Sequence, residues 1–289
     1  MAAARPSADL PRVAEALEML APRWSAWVLM TLAAHDEPLR YSAVKASLPW
    51  LADGQLHPKL RALGEAGLVE RTAHSRLHVT YGLTGRGREL QPVLEALAAW
   101  GDTHLEKDLV LNRTTGRHET ERIPAAQNAE DTLAVLSHRY ATVLLWTLRW
   151  RGPSTMAALS TQAVPGLGAS TLYGPIRRLI DDGLVTVTPG EGAVLQLSAP
   201  GQDLAPLYRA LSAWATGRPH TDTHPVWGAP TPAAAVLPVA RSGQWAAHQA
   251  RHKATPAIGV SQSPATAPAP ALGWRPADLF STPTSGPSR

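Results

Sequence analysis

The sequence predicts a mainly α fold with small β-hairpin wings, laid down twice in tandem and followed by a disordered tail. Three observations carry the prediction. The chain repeats itself, each repeat runs through helical and hairpin patterns in one order, and the composition changes after Gly217. The repeat is legible by eye. ALEMLAPRWSAWVLMTL (16–32) aligns with TLAVLSHRYATVLLWTL (132–148), LRALGEAGLVERT (60–72) with IRRLIDDGLVTVT (176–188), and LTGRGRELQPVLEALAAW (83–100) with LSAPGQDLAPLYRALSAW (197–214). The offset stays between 114 and 116 residues and drifts where loops are expected. The expected domains are therefore 13–105 and 130–217, joined by a linker at 106–129. Residues 218–289 are rich in Pro, Ala, Thr and Ser without apolar periodicity, so they cannot bury enough surface to offset their ordering entropy.

In the first repeat, Leu17, Leu20, Trp24, Trp27 and Val28 recur at helical spacing, and Pro22 divides them into two helices. EPLRYSAVKASL forms a short third helix with Tyr41, Val44 and Leu48 on one face, stopped by Pro49. The turn PWLADG leads into a fourth helix with Leu56, Leu60 and Leu63 inward, and Gly67 ends it in a left-handed cap. Pro58 lacks an N–H, which matters least in a first turn, so this helix is expected to start near Gln55. Leu68–Thr72 and His78–Leu83 read as two strands around a tip at Ala73–Leu77. Thr84 caps a single last helix carrying Leu90, Val93, Leu94, Leu97 and Trp100. A hairpin this small has no independent core, and its natural place is beside the helix-turn-helix as a wing. The fourth helix can then enter a DNA major groove while the hairpin tip meets phosphates.

With the elements in this order, EAGLVERTAHSRLHVTYGLTGRGRELQPVLEALAAWGD resembles the wing and C-terminal helix of HxlR-type winged helix-turn-helix regulators. RWSAWVLMTL and LRYSAVKASLPWLADGQLHPKLRAL are similar to the rest of that domain. The resemblance covers about 13–105 and returns more weakly over 130–217, where STLYGPIRRLIDDGLV also resembles the PadR-type regulators. It implies a bacterial, DNA-binding transcription regulator, usually a homodimer, with the helix after the turn reading DNA. Two departures stand out. The N-terminal cysteine that family members often carry is missing, and Gly54 and Gln55 stand where the reading helix usually bears Arg or Lys.

The expected groove-facing residues of the first repeat are Gln55, His57, Lys59 and Arg61, with His74, Arg76 and His78 on the wing. Gln pairs with adenine and Arg or Lys with guanine. The alternative is a solvated helix face and an ordinary polar turn. In the second repeat the candidates are Ser170, Thr171, Tyr173, Arg177 and Arg178, but the tip PGEGAV carries Glu191 and no basic residue. Phosphate affinity follows the Lys and Arg count, so weaker DNA binding is expected there. Trp24, Trp27, Tyr140, Trp146 and Trp150 are expected in cores or interfaces, with a ligand pocket between the copies as the alternative.

Composition narrows the function classes. The chain of 289 residues has net charge +4, yet residues 16–101 carry nine basic against eight acidic side chains and the tail six against two, so bulk charge decides little. There is no cysteine, which excludes disulfides and thiolate chemistry. No apolar run is long enough to span a membrane and the N-terminus lacks a signal-peptide core, so a cytoplasmic location is expected. The histidine pairs four apart (His74/His78, His220/His224, His248/His252) have no evident third ligand, and no phosphate loop or nucleophile elbow is present. No cofactor, metal or enzyme activity is expected. The expected partner is double-stranded DNA, bound by an intrachain pseudo-dimer or a homodimer. The rival readings are a protein-interaction module that has lost DNA binding and a regulator responsive to a small-molecule effector.

Overall fold

The computed structural model of the chain describes residues 8–75, 78–188, 193–221 and 223–228. Among these, Trp24–Glu130 forms one compact unit, and the residues up to Arg23 fall with those from Asp131 in the other. No described helix is long and apolar enough to cross a membrane.

The Trp24–Glu130 unit starts with α2 (Ser25–Ala33), whose face of Val28, Leu29 and Leu32 is buried. The strand β1 (Leu39–Arg40) leads into α3 (Tyr41–Ser47), and α4 (Asp53–Glu65) follows the turn. Leu56, Leu60 and Leu63 of α4 are buried, as the spacing predicts. The helix begins at Asp53, two residues earlier than expected. Gln55 N–H and Leu56 N–H both bond to Ala52 O at 2.9 Å, so the first turn closes before the proline, and Pro58 lies inside the helix. Gly67 takes φ 71°, the left-handed conformation that the sequence requires of it.

Strands β2 (Val69–Ala73) and β3 (Val79–Leu83) pair antiparallel with Arg71 opposite Tyr81, and β1 adds to the other edge of β3. The sheet order is β1-β3-β2. The strand β1 is absent from the sequence reading because two residues carry no periodicity. The single last helix expected after Thr84 is broken into α5 (Gly85–Arg88) and α6 (Gln91–His104). Thr84 caps the first piece, accepting from Gly87 N–H at 3.0 Å, and Pro92 sits in the first turn of the second. Residues expected to form a linker instead hold a hairpin, β4 (Leu109–Asn112) with β5 (Arg117–Thr120). The helix α7 (Ala125–Leu136) begins in this unit, and its Glu130 carboxylate accepts from Trp24 N–H.

In the other unit, α1 (Leu10–Leu20) buries Leu10, Val13, Leu17 and Leu20. The sequence reading joins α1 to the first repeat, yet its packing partners are α8 (Ala141–Arg151) and α12 (Ala205–Thr216). Between those two lie β6 (Ser154–Thr155), α9 (Met156–Ala163), α10 (Ala169–Asp181), β7 (Val185–Thr188), β8 (Val194–Leu197) and α11 (Ala199–Gln202). The sheet order is β6-β8-β7.

Details recur between the units. Trp24 and Tyr140 precede α2 and α8 with φ 74° and 68°. Ser198 caps α11 as Thr84 caps α5. A Cβ on Gly87 would lie 2.1 Å from Leu68 O, and one on Gly201 2.2 Å from Leu184 O. The expected disordered tail needs a correction at its start: His224, Val226 and Gly228 are partly buried, and Trp227 is fully buried against α8 and α12. A lone tryptophan among prolines has no periodicity to betray a docking site. The rest of the expected tail, with His248 and His252, lies outside the described residues.

Candidate nucleic-acid interface

The helix α4 presents its sequence-expected side chains unequally. Gln55, His57 and Arg61 are exposed, with the three leucines turned to the core. Lys59 differs from the outward orientation expected. It lies at the flank of the leucine stripe and donates to Ser25 Oγ at 3.1 Å. Burial holds its pKa below the usual lysine value, opposed by the Glu130 charge. The alkyl stem that should reach into a groove instead ties α4 to the start of α2.

His57 is oriented by its neighbour. Its ring stacks on Tyr41 at 4.0 Å with the planes 4° apart. Tyr41 in turn donates its Oη–H to Asp53 Oδ1 at 2.6 Å. Desolvation and the Asp53 carboxylate push the Tyr41 hydroxyl up to about 12, so it stays a donor at any physiological pH. Arg61 is exposed and pairs with Glu65 one turn on at 3.7 Å. An exposed pair of this kind is worth only about 0.3–0.5 kcal/mol, so the guanidinium exchanges readily for a phosphate.

Beside α4, an open groove of about 570 Å³ runs to the sheet, lined by His57 and Arg61 on one wall and by Arg71 and Tyr81 on the other. Arg71 is exposed on β2, and the sequence reading missed it. No alternation marks it in the sequence: Val69 is buried and the four residues after it are all exposed, so only the pairing of β2 at the sheet edge beside α4 brings Arg71 to the groove. With Arg71 counted, the groove has two guanidiniums and an imidazole facing one space. This arrangement suits a polyanion.

At the wing, His74 Nε2 lies 3.1 Å from Thr80 Oγ1, and the His74 and His78 rings are 4.7 Å apart. The little burial His78 has, with the Arg40 and His74 charges beside it, holds its pKa below the ordinary histidine value. It is therefore neutral at pH 7 and offers hydrogen bonds rather than charge. Arg76 lies outside the described residues.

In the second repeat Ser170, Thr171, Tyr173, Arg177 and Arg178 are all exposed on α10. Arg177 pairs with Asp181 at 3.9 Å, and Arg178 Nη1 lies 3.4 Å from His138 Nδ1. At the place corresponding to Arg71 stands Val187, 40% exposed, and Tyr173, which corresponds to His57, is 60% exposed. This face is thus more apolar than its counterpart, and Glu191 at its tip lies outside the described residues. The aromatic residues divide as the sequence suggests. Trp27 and Trp146 are buried, while Trp24 and Trp27 pack on the half-exposed Trp50 at 4.7 and 4.9 Å.

Comparison with known proteins bears on the first of these faces. Residues 19–109 match the model of the HxlR-like helix-turn-helix family. The chain is 30% identical over 87 residues to the uncharacterized HTH-type transcriptional regulator YdzF of Bacillus subtilis, covering 29% of this chain and 79% of that protein. It is 29% identical over 98 residues to the HTH-type transcriptional regulator YodB of Bacillus subtilis, covering 33% and 86%. An uncharacterized HTH-type transcriptional regulator of Methanothermobacter thermautotrophicus is 33% identical over 88 residues, covering 30% and 66%. No solved structure matches the chain.

Proposed function

The chain belongs to the HxlR-like helix-turn-helix family, and on that premise we propose that it is a sequence-specific, DNA-binding transcriptional regulator acting as an intrachain pseudo-dimer. The observation that carries the reading is the groove beside α4, where His57, Arg61 and Arg71 converge next to an exposed Gln55. In this reading Gln55 and Arg61 meet base edges, while Arg71 and the wing, with Arg76 at its tip, meet phosphates. The names of the relatives, all transcriptional regulators, support the same activity here and with it a cytoplasmic location.

The second half, 130–217, is a second winged helix-turn-helix copy in this proposal. The recurring sheet order, helix caps and left-handed residues support that. Winged-helix dimers read half-sites about 34 Å apart. A chain with two copies needs no second subunit to do so, and the packing of α1 with the C-terminal helices is the kind of exchange a fused dimer makes.

The test is a gel-shift titration against the protein's own upstream region at two salt concentrations, with the oligomeric state followed by sedimentation. Arg61→Ala with Arg71→Ala should weaken binding about tenfold or more, relax the sequence preference at the base Arg61 reads, and lower the salt slope by about one, for the phosphate contact of Arg71. Unchanged affinity and slope would remove α4 from the interface, and a 2:1 complex on one operator would remove the pseudo-dimer. A second reading applies to the second half alone. Tyr173 and Val187, at the places of His57 and Arg71, are 60% and 40% exposed, which favours a protein contact over a phosphate contact there.

A further inference from the structure

Residues 224–228 form a built turn rather than a trailing end. His224 Nδ1 accepts from Val226 N–H at 3.1 Å and Trp227 N–H at 2.9 Å. A Cβ on Gly228 would lie 2.7 Å from His224 O, so the turn closes too tightly for any larger residue. The turn inserts the Trp227 indole between α8 and α12. There it stacks on Tyr208 at 4.5 Å with the planes 22° apart, and it meets Trp146 edge-on at 5.9 Å.

Two arginines close over the inserted residue. Arg149 donates from Nε to Val226 O at 3.3 Å and from Nη2 to Gly228 O at 3.2 Å. Arg209 donates from Nη1 to Trp227 O at 3.1 Å. Among the described residues, neither guanidinium has a carboxylate partner. Burial and the adjacent Arg209 charge hold Arg149 below its ordinary pKa. Arg209 Nε and the Trp146 and Trp227 indole nitrogens are buried without a hydrogen-bond partner among the described residues. The Nε/Nη2 edge of Arg149 is the fork that fits one carboxylate bidentately, and here it is split between the carbonyls of two different residues.

The scaffold does not need these side chains. By the repeat alignment, Trp146, Arg149, Tyr208 and Arg209 correspond to Met30, Ala33, Leu94 and Glu95. Met30 and Leu94 are fully buried and build a plain apolar core. Two arginines and two aromatics have thus been placed at one spot of the second half, where aliphatic packing suffices in the first.

We propose that the crevice between α8 and α12 is a binding site for an aromatic carboxylate, occupied here by the chain's own 224–228 turn as a stand-in. The ring of the ligand takes the place of the Trp227 indole on Tyr208. Its carboxylate takes the place of the main-chain carbonyls under Arg149 and Arg209, converting neutral acceptors into a charge-assisted pair. The ligand and the turn exclude one another, so the site also releases the turn. The inference does not depend on the DNA-binding reading, and its test contains no DNA.

The test is calorimetry on the full chain with indole-3-acetate and benzoate, and with indole-3-acetamide as the uncharged control. At least one of the acids should bind, and the amide at least tenfold more weakly. Arg209→Ala should weaken the acid at least tenfold. Trp227→Ala should tighten it by a similar factor, since the apparent affinity is lowered by the fraction of sites already filled. Failure of both acids to bind, equal binding of acid and amide, or indifference to Arg209→Ala would overturn the proposal. Should Trp227→Ala fail to fold, chymotrypsin cleavage after Trp227 in the unaltered chain reads the same exchange. Saturating acid should speed that cleavage several-fold, and unchanged or slower cleavage would count against the site.

Discussion

Gly87 shows how one missing side chain sets the geometry at the end of the wing. The space its Cβ would need is taken by Leu68 O, 2.1 Å away, and Leu68 is fully buried. Gly87→Ala should therefore cost about 2–3 kcal/mol and lower the melting temperature of the Trp24–Glu130 unit by about 10 °C. An unaltered melt would mean that β2 and α5 part without cost. Asp182 gives a residue-scale prediction of opposite sign. It is 3% exposed, and burial, reinforced by Asp181 and opposed by Arg178, pushes its carboxyl up to about 6, with His138 Nε2 4.0 Å away. A raised carboxyl contributes its full stability below the unfolded value of about 4 and loses it as pH rises through about 6. Thermal melts across pH 4–7.5 should show that loss, about 1–3 kcal/mol, and Asp182→Asn should abolish it and stabilise the protein at pH 7.5. An equally steep pH profile in the variant would clear Asp182 of the effect.

At the scale of elements, the 224–228 turn has a pH window of its own. Burial holds His224 below its ordinary pKa, against the favourable pull of Asp9, while Arg218 and Arg209 add to the depression. Ser212 Oγ lies 3.2 Å from His224 Nε2, so the ring sits within a closed polar network. Protonation at Nδ1 would cost the two N–H bonds that shape the turn. The turn should be fully held above about pH 6.5 and weaken as pH falls below it. Hydrogen exchange at the Val226 and Trp227 amides, corrected for intrinsic rate, should show less protection at pH 5.5 than at 7.5. Equal protection would mean that the network tolerates a charged ring. The cap at Thr84 is a second element-scale device. Its Oγ1 accepts from Gly87 N–H at 3.0 Å and donates to Gly67 O at 2.7 Å, joining the start of α5 to the end of α4. Thr84→Ala should cost about 1 kcal/mol in a denaturant titration, and a stable variant would show the cap to be idle.

On the scale of the whole molecule, the first helix belongs energetically with the last. Leu10, Val13, Leu17 and Leu20 of α1 are buried, and Asp9 before it accepts from Ser212 Oγ at 2.6 Å and pairs with Arg218. Burial of four large aliphatic side chains is worth about 1.5–3 kcal/mol each. A chain lacking residues 1–20 should therefore lose amide protection in α8 and α12, while α4 and the wing of the Trp24–Glu130 unit keep theirs. Loss of protection in α4 instead would place the role of α1 elsewhere.

The succession of helix, turn, helix and wing, the leucine stripe of α4, the left-handed Gly67 and the Thr84 cap were legible in the residues, while β1, the β4–β5 hairpin and the break between α5 and α6 were not. Each of the legible features is specified within a few positions by periodicity, by a glycine or by a capping hydroxyl. The exposure of Gln55, His57 and Arg61 was legible for the same reason, since their spacing avoids the buried stripe. What the tertiary structure alone decided depends on segments far apart in sequence. Lys59 turns inward because Ser25 waits 34 positions upstream, Arg71 joins the groove because β2 lies along α4, and Trp227 is buried because α8 and α12 leave a crevice for it. No local pattern records such partners, since packing is a property of the surfaces that meet and not of either segment by itself.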